Sequence, residues 1–168
     1  LTAEAAGKIN GKQETAWVAQ LAAKQRSNEE RNSPLLHSSK VPIHPLRLCK
    51  EVRDIISRDT ILVVDGHEIL NFGRQSIPIY DVACSLNAGP HGCMGVGIPF
   101  GIGAKVARPD KPVVVLSGDG AFGWNGMEMD TAIRHKLAIV VVVSNNAGFT
   151  SRQTGRMTAS NMGLENVG

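Results

Sequence analysis

The 168-residue chain is 42% hydrophobic and 20% charged, with 18 glycines and 4% aromatic residues. This excludes disordered and collagen-like classes and leaves room for one domain, or one domain and an appendage. The net charge is +3, and the densest basic stretch, Arg152 to Arg156, has no interleaved aromatic residues, so neither a nucleic-acid nor a membrane-surface partner is expected.

Residues 1–36 differ from the rest. Gln13 to Glu30 predicts a helix with Trp17, Leu21 and Lys24 on one face. It dissolves into Ser27, Asn28, Arg31, Asn32, Ser33 and Pro34, which is linker composition. The stretch reads as the tail of a preceding domain with a helical connector, and residues 37–168 as the main domain. Pro45 suits the first turn of a helix, with Leu46, Cys49, Val52 and Ile56 following at helical spacing. Arg58, Asp59 and Thr60 end it. Ile61 to Val64 is a short apolar run and predicts a buried strand. Met94 to Ala107 predicts a helix rich in Gly and Ala, closed by Arg108-Pro109. Val113 to Leu116 predicts a second buried strand. Gly126 to His135 predicts a helix, with Asn125 as its cap and Glu128 three residues on, a variant capping box. His135 at its end suits the helix dipole and reads as structural. Ile139 to Val143 is almost purely β-branched and predicts a third strand.

Strands alternating with helices imply an α/β fold with a doubly wound, mainly parallel sheet and helices on both faces. In such sheets ligands bind beyond the carboxyl ends of the strands. The segments there are Asp65-Gly66-His67-Glu68, Gly118-Asp119-Gly120 and Asn145-Asn146.

Gly118 to Gly123 reads GDGAFG, which matches the dinucleotide fingerprint G-x-G-x-x-G. Two features argue against a dinucleotide. Asp119 would repel a pyrophosphate unless a cation intervenes. The next strand ends in Ser144-Asn145-Asn146, with no acid to hold a ribose. Magnesium resolves both, since it takes oxygen ligands at about 2.0–2.1 Å in an octahedron. Asp119 offers a carboxylate oxygen, Asn146 an amide oxygen and Gly148 a backbone carbonyl. Two diphosphate oxygens and a water would complete the shell.

GDG at 118–120 with Asn-Asn at 145–146 resembles the motif of the thiamine diphosphate (ThDP) enzymes, and residues 121–144 form a spacer within that family's range. Gly89-Pro90-His91-Gly92-Cys93-Met94-Gly95 resembles a second signature, Gly-x-Met-Gly, opening a small-residue helix. The resemblance implies that Met94 wedges under the cofactor and holds it bent, as befits a polarizable gap-filler. It also implies that backbone groups at Gly92 and Met94 bind the aminopyrimidine ring. Gly66-His67-Glu68 is similar to the loop that contacts the terminal phosphate, although acetolactate synthases usually carry Gln-His there. Glu68 beside a phosphate would be repelled, so it is expected to point away or to contact substrate. His67 is either a phosphate contact or an ordinary loop histidine. The implied cofactor contacts are thus Gly66, His67, Glu68, Gly92, Cys93, Met94, Gly118, Asp119, Gly120, Ala121, Asn146 and Gly148, with Met94 catalytic.

The run Gly66…Leu70-Asn71-Phe72-Gly73-Arg74 and the run Ala121-Phe122-Gly123…Gly126-Met127-Glu128 look like the 2-hydroxyacyl-CoA lyase and oxalyl-CoA decarboxylase branch. Gly95 to Phe100 also resembles acetolactate synthases. The resemblance implies ThDP- and Mg²⁺-dependent cleavage or formation of a C–C bond next to a carbonyl, of the 2-hydroxyacyl-CoA lyase type. The alternatives are an acetolactate-synthase-like carboligase acting on 2-oxo acids, or a non-catalytic ThDP-binding subunit. It further implies an acyl-CoA or 2-oxo acid substrate, a separate pyrimidine-binding domain carrying a Glu, and a homodimer or homotetramer. That domain and a continuation beyond Gly168 are expected outside this sequence. Cys49, Cys84 and Cys93 are odd in number and widely spaced, so they fit neither a disulfide framework nor a zinc site. Free thiols point to a reducing compartment, the cytoplasm, or a peroxisome if an address follows. No signal-peptide layout or membrane-spanning apolar run is present in the sequence.

Overall fold

A computed structural model describes residues 15–147. Four parallel strands form one sheet in the order β2-β1-β3-β4. They are β1 (Ile61–Asp65), β2 (Ser85–Leu86), β3 (Val113–Gly118) and β4 (Val140–Ser144). The three longer strands are those that the β-branched runs predict, each shifted or extended by a residue or two. The helices are α1 (Ala16–Leu36), α2 (Pro45–Ile55), α3 (Glu68–Ser76), α4 (Gly97–Ala107), α5 (Asp119–Asn125) and α6 (Met129–Arg134). Among them no helix is long and apolar enough to cross a membrane.

The sheet sorts its side chains by parity, since successive residues of a strand face opposite ways. Leu62, Val64, Val114 and Leu116 join Leu46, Cys49 and Val52 of α2 and Ile69 and Phe72 of α3. Ile61, Val63, Val113 and Val115 join Ile98 and Ala104 of α4. Both faces are covered, so β1 is buried along its whole length. This is the expected doubly wound arrangement. Cys49 lies within the first cluster, and burial pushes its thiol pKa up to about 11, which leaves it unreactive.

Several expectations are corrected. The polar run Ser27–Pro34 does not end the helix: α1 continues through Pro34 to Leu36. Its last turns are fastened to the domain by Asn32, which is buried, and Leu36, which packs on the first cluster. Tertiary contact thereby overrides a weak local preference. The helix expected from Met94 starts only at Gly97, because Gly95 has φ +88°, outside the helical region. The helix expected over Gly126–His135 is broken into a 3₁₀ turn at Gly126–Glu128 and the short α6. Asn125 does not cap it; its side chain donates instead to the Gly95 carbonyl at 2.7 Å. Glu128 accepts from the Thr131 hydroxyl rather than reaching back to the cap. The helices α3 and α5 and the short β2 occupy stretches that carried no assignment.

Two glycines of α4 test this packing. A Cβ at Gly101 would stand 2.6 Å from Cγ2 of Val115, which is fully buried in β3. A Cβ at Gly103 would meet nothing within 4 Å. Gly101→Ala should therefore cost about 1–3 kcal/mol through overpacking. Gly103→Ala should add up to about 1 kcal/mol through helix propensity. Urea-unfolding midpoints of the two variants check both signs.

Candidate cofactor site

The strand order dictates where a ligand can enter. From β1 the chain leaves toward β2 on one side, and from β3 it leaves toward β4 on the other. The two neighbours β1 and β3 thus form a switch point, where such sheets open a crevice at their carboxyl ends. The chains approach closely there: a Cβ on Gly66 would lie 3.3 Å from the Gly118 nitrogen, and Gly66 has φ +113°. Only glycine meets both conditions.

A cleft at this point is lined by Gly66, His67, Glu68, Ile69, Met94, Gly118, Asp119, Gly120, Ala121, Ser144 and Asn146. The structure therefore brings together most of the residues singled out in the sequence. Gly92 and Cys93 stand outside this lining, both exposed. Gly148 lies outside the described residues. Ile69 and Ser144 were not singled out; the helical spacing of Ile69, Phe72 and Gly73 and the position of Ser144 at the end of β4 are the signals that place them. The cleft measures about 50 Å³, against roughly 300–1,000 Å³ for a pocket enclosing a drug-sized ligand. On their own these residues enclose too little space for a ligand of that size.

Asp119 opens α5 directly after β3. Its Oδ1 accepts the Gly120 N–H at 2.9 Å, while its Oδ2 is buried and has no hydrogen-bond partner. A buried polar atom left without a partner costs about 1–3 kcal/mol, more when charged. Across the cleft, Asn146 follows β4, and its Nδ2 donates to Oε2 of Glu68 at 2.6 Å. Among the described residues no group of three or more His, Cys, Asp or Glu could form an all-protein metal cage. One carboxylate and one amide suit a hard cation that shares its shell with phosphate and water.

Met94 is held from two directions. Asp65, at the end of β1 and 3% exposed, accepts the Gly97 N–H through Oδ2 at 2.7 Å. It supplies the cap that α4 lacks from its own side chains. From the other side, Asn125 at the end of α5 holds the Gly95 carbonyl. A Cβ on Gly97 would come within 2.9 Å of the Asp65 Cβ, so glycine is required there. Sequence reasoning missed both supports, because each partner lies about thirty positions away.

Residues 71–165 match the family model described as the thiamine pyrophosphate enzyme, C-terminal TPP binding domain. A probable acetolactate synthase of Mycobacterium bovis is 37% identical over 136 residues, covering 81% of this chain and 25% of that protein. A 2-hydroxyacyl-CoA lyase of Arabidopsis thaliana is 34% identical over 137 residues, covering 79% of this chain and 24% of that protein. A human 2-hydroxyacyl-CoA lyase 2 is 33% identical over 138 residues, covering 80% and 21% respectively. A parallel α/β sheet with a polar cleft at its switch point defines a ligand-binding domain of the doubly wound class. Within that class, the chain belongs to the thiamine pyrophosphate enzymes, through their C-terminal TPP-binding domain. It spans about a quarter of the length of these relatives.

Burial raises the pKa of Asp65, and the backbone N–H groups of Gly97, Gly95, Gly66 and Val96 only partly offset it. A carboxyl whose folded pKa lies above its unfolded one contributes stability at low pH, which is lost as pH rises through the folded value. Asp65→Asn removes that titration. Urea unfolding from about pH 4 to pH 7 should show the wild type losing stability relative to Asp65→Asn as pH rises. A difference that stays constant with pH would refute the assignment.

Proposed function

We propose that this cleft holds the diphosphate of ThDP through a magnesium ion bound by Asp119 and Asn146, in an enzyme that cleaves or forms a C–C bond next to a carbonyl. The observation that carries the reading is the buried, unpartnered Oδ2 of Asp119 in the lining of the cleft. A divalent cation there would satisfy the oxygen and reverse the repulsion between carboxylate and diphosphate. Asn146 would add its amide oxygen, and the Gly148 carbonyl would be a third donor. Gly66, Gly118 and Gly120 let backbone approach the phosphates closely.

When bound, the cofactor supplies the electron sink that the bond cleavage needs. The chain's residues would bind, orient and shield it. Met94 presents a polarizable thioether at the edge of the cleft, braced through Gly95 and Gly97. Ile69 and Ala121, both buried, back the cleft with apolar surface and keep water from that side. Trp124 and Met127, in α5 and the 3₁₀ turn that follows it, are 66% and 88% exposed. Such apolar surface suits a partner domain or second subunit that closes the cleft.

The reaction we favour is of the 2-hydroxyacyl-CoA lyase type, supported by the names of the plant and human relatives. An acetolactate-synthase-like carboligase acting on 2-oxo acids is the second reading, supported by the 37% identity to the mycobacterial protein.

Calorimetry tests the clamp. Asp119→Ala should abolish magnesium-dependent ThDP binding, and unchanged affinity would reject it. Met94→Ala should reduce turnover by far more than it lowers the unfolding temperature; full turnover would make Met94 ordinary core. Product analysis separates the two reactions. The favoured one releases an aldehyde or ketone and formyl-CoA from a 2-hydroxyacyl-CoA. Acetolactate formed from pyruvate alone would establish the second.

A further inference from the structure

Glu68 and Asn146 are 78 positions apart, yet their side chains meet at 2.6 Å. An ionised carboxylate only accepts hydrogen bonds. The contact therefore decides which end of the Asn146 amide faces Glu68: it must be the NH₂ group. The two ends of an amide are nearly alike in shape, but a hard cation takes only the oxygen. An amide turned the wrong way would offer that cation two N–H donors instead. The carboxylate that sets the orientation is itself well anchored. Glu68 begins α3, whose next buried residues, Ile69 and Phe72, are 2% and 8% exposed in the first core cluster.

We propose that Glu68 is a positioning residue: it holds the Asn146 side chain by its NH₂ group, so that the oxygen is the end left to face the metal, without binding metal or phosphate itself. The inference rests on the metal reading above for what Asn146 ligates. It also resolves why a carboxylate is tolerated at the phosphate end of the cleft. The carboxylate is engaged by an amide rather than turned toward the anion. Partners that orient a metal's ligands typically change its affinity by about 10–100-fold when removed.

The test uses Mn²⁺ with ThDP as the probe, the free Mn²⁺ being read by electron paramagnetic resonance. Glu68→Ala should weaken Mn²⁺ binding by about 10–100-fold. Glu68→Gln can donate as well as accept, so it no longer dictates which end of the Asn146 amide faces it, and should bind Mn²⁺ more weakly than wild type but no more weakly than Glu68→Ala. Two results would overturn the proposal: an alanine variant that binds as well as wild type or better, and a glutamine variant that binds as well as wild type, which would mean that the acceptor-only carboxylate does not set the orientation. Asp119→Ala separates the two layers. If it binds Mn²⁺ like the wild type, or if the wild type binds none, the metal reading fails and the proposed role fails with it. The contact is also read without metal, from exchange of the Asn146 side-chain amide protons by NMR. Exchange should be slow in wild type and faster in Glu68→Ala. Equal rates in the two would remove the contact on which the proposal stands.

Discussion

The hydrogen bond from the Gly97 N–H to the Asp65 carboxylate fixes the relation between the sheet and the cleft. It ends β1, caps α4 from outside the helix, and determines the direction from which the Met94 segment arrives. It demands glycine at 97, where any side chain would strike the aspartate. The Asn125 side chain then ties the same segment to the far end of α5, the helix that Asp119 begins. Met94 and Asp119, 25 residues apart by number, thus belong to one framework rather than to two independent loops. A polar bond this deeply buried is well suited to such a task. Breaking it strands two polar groups at once, so alternative placements of the segment are strongly disfavoured.

The parts of the fold legible in the sequence are those where local pattern and tertiary demand agree. β1, β3 and β4 are β-branched runs, and the burial of β1 and β3 on both faces is what such runs require in a parallel sheet. Their polar ends mark the switch point, so Asp119, Asn146 and the Gly66–Glu68 turn could be placed at one site from the sequence. The parts not legible are of two kinds. Glycine-bearing stretches such as Glu68–Ser76 and Asp119–Asn125 look like loops by propensity, and become helices because Ile69, Phe72 and Ala121 find places in the core. The second kind is long-range polar pairing. Nothing local to Asn125 shows that its amide serves Gly95 rather than the helix it precedes, and nothing local to Glu68 names Asn146 as its partner.

Three carboxylates cluster at these strand ends, and the structure treats each differently. Asp65 lies outside the lining of the cleft, with backbone N–H groups around it and one oxygen, Oδ1, without a partner. Its burial is relieved by a greater affinity for a proton. Glu68 is engaged by the amide of Asn146. Asp119 alone combines a place in the cleft with a buried oxygen that no hydrogen bond satisfies. Two unit charges about 4 Å apart interact with about 4 kcal/mol at the effective dielectric of a protein surface. A diphosphate with one unit of charge that close to bare Asp119 would be weakened by about that much, about a thousandfold in affinity. A divalent cation between them turns the repulsion into attraction on both sides. The carboxylate that argues against a dinucleotide is therefore the one that argues for a metal-bridged diphosphate. In the proposed clamp the same electrostatics would favour Glu68 engaged by Asn146: left loose, a second carboxylate would oppose the bound anion.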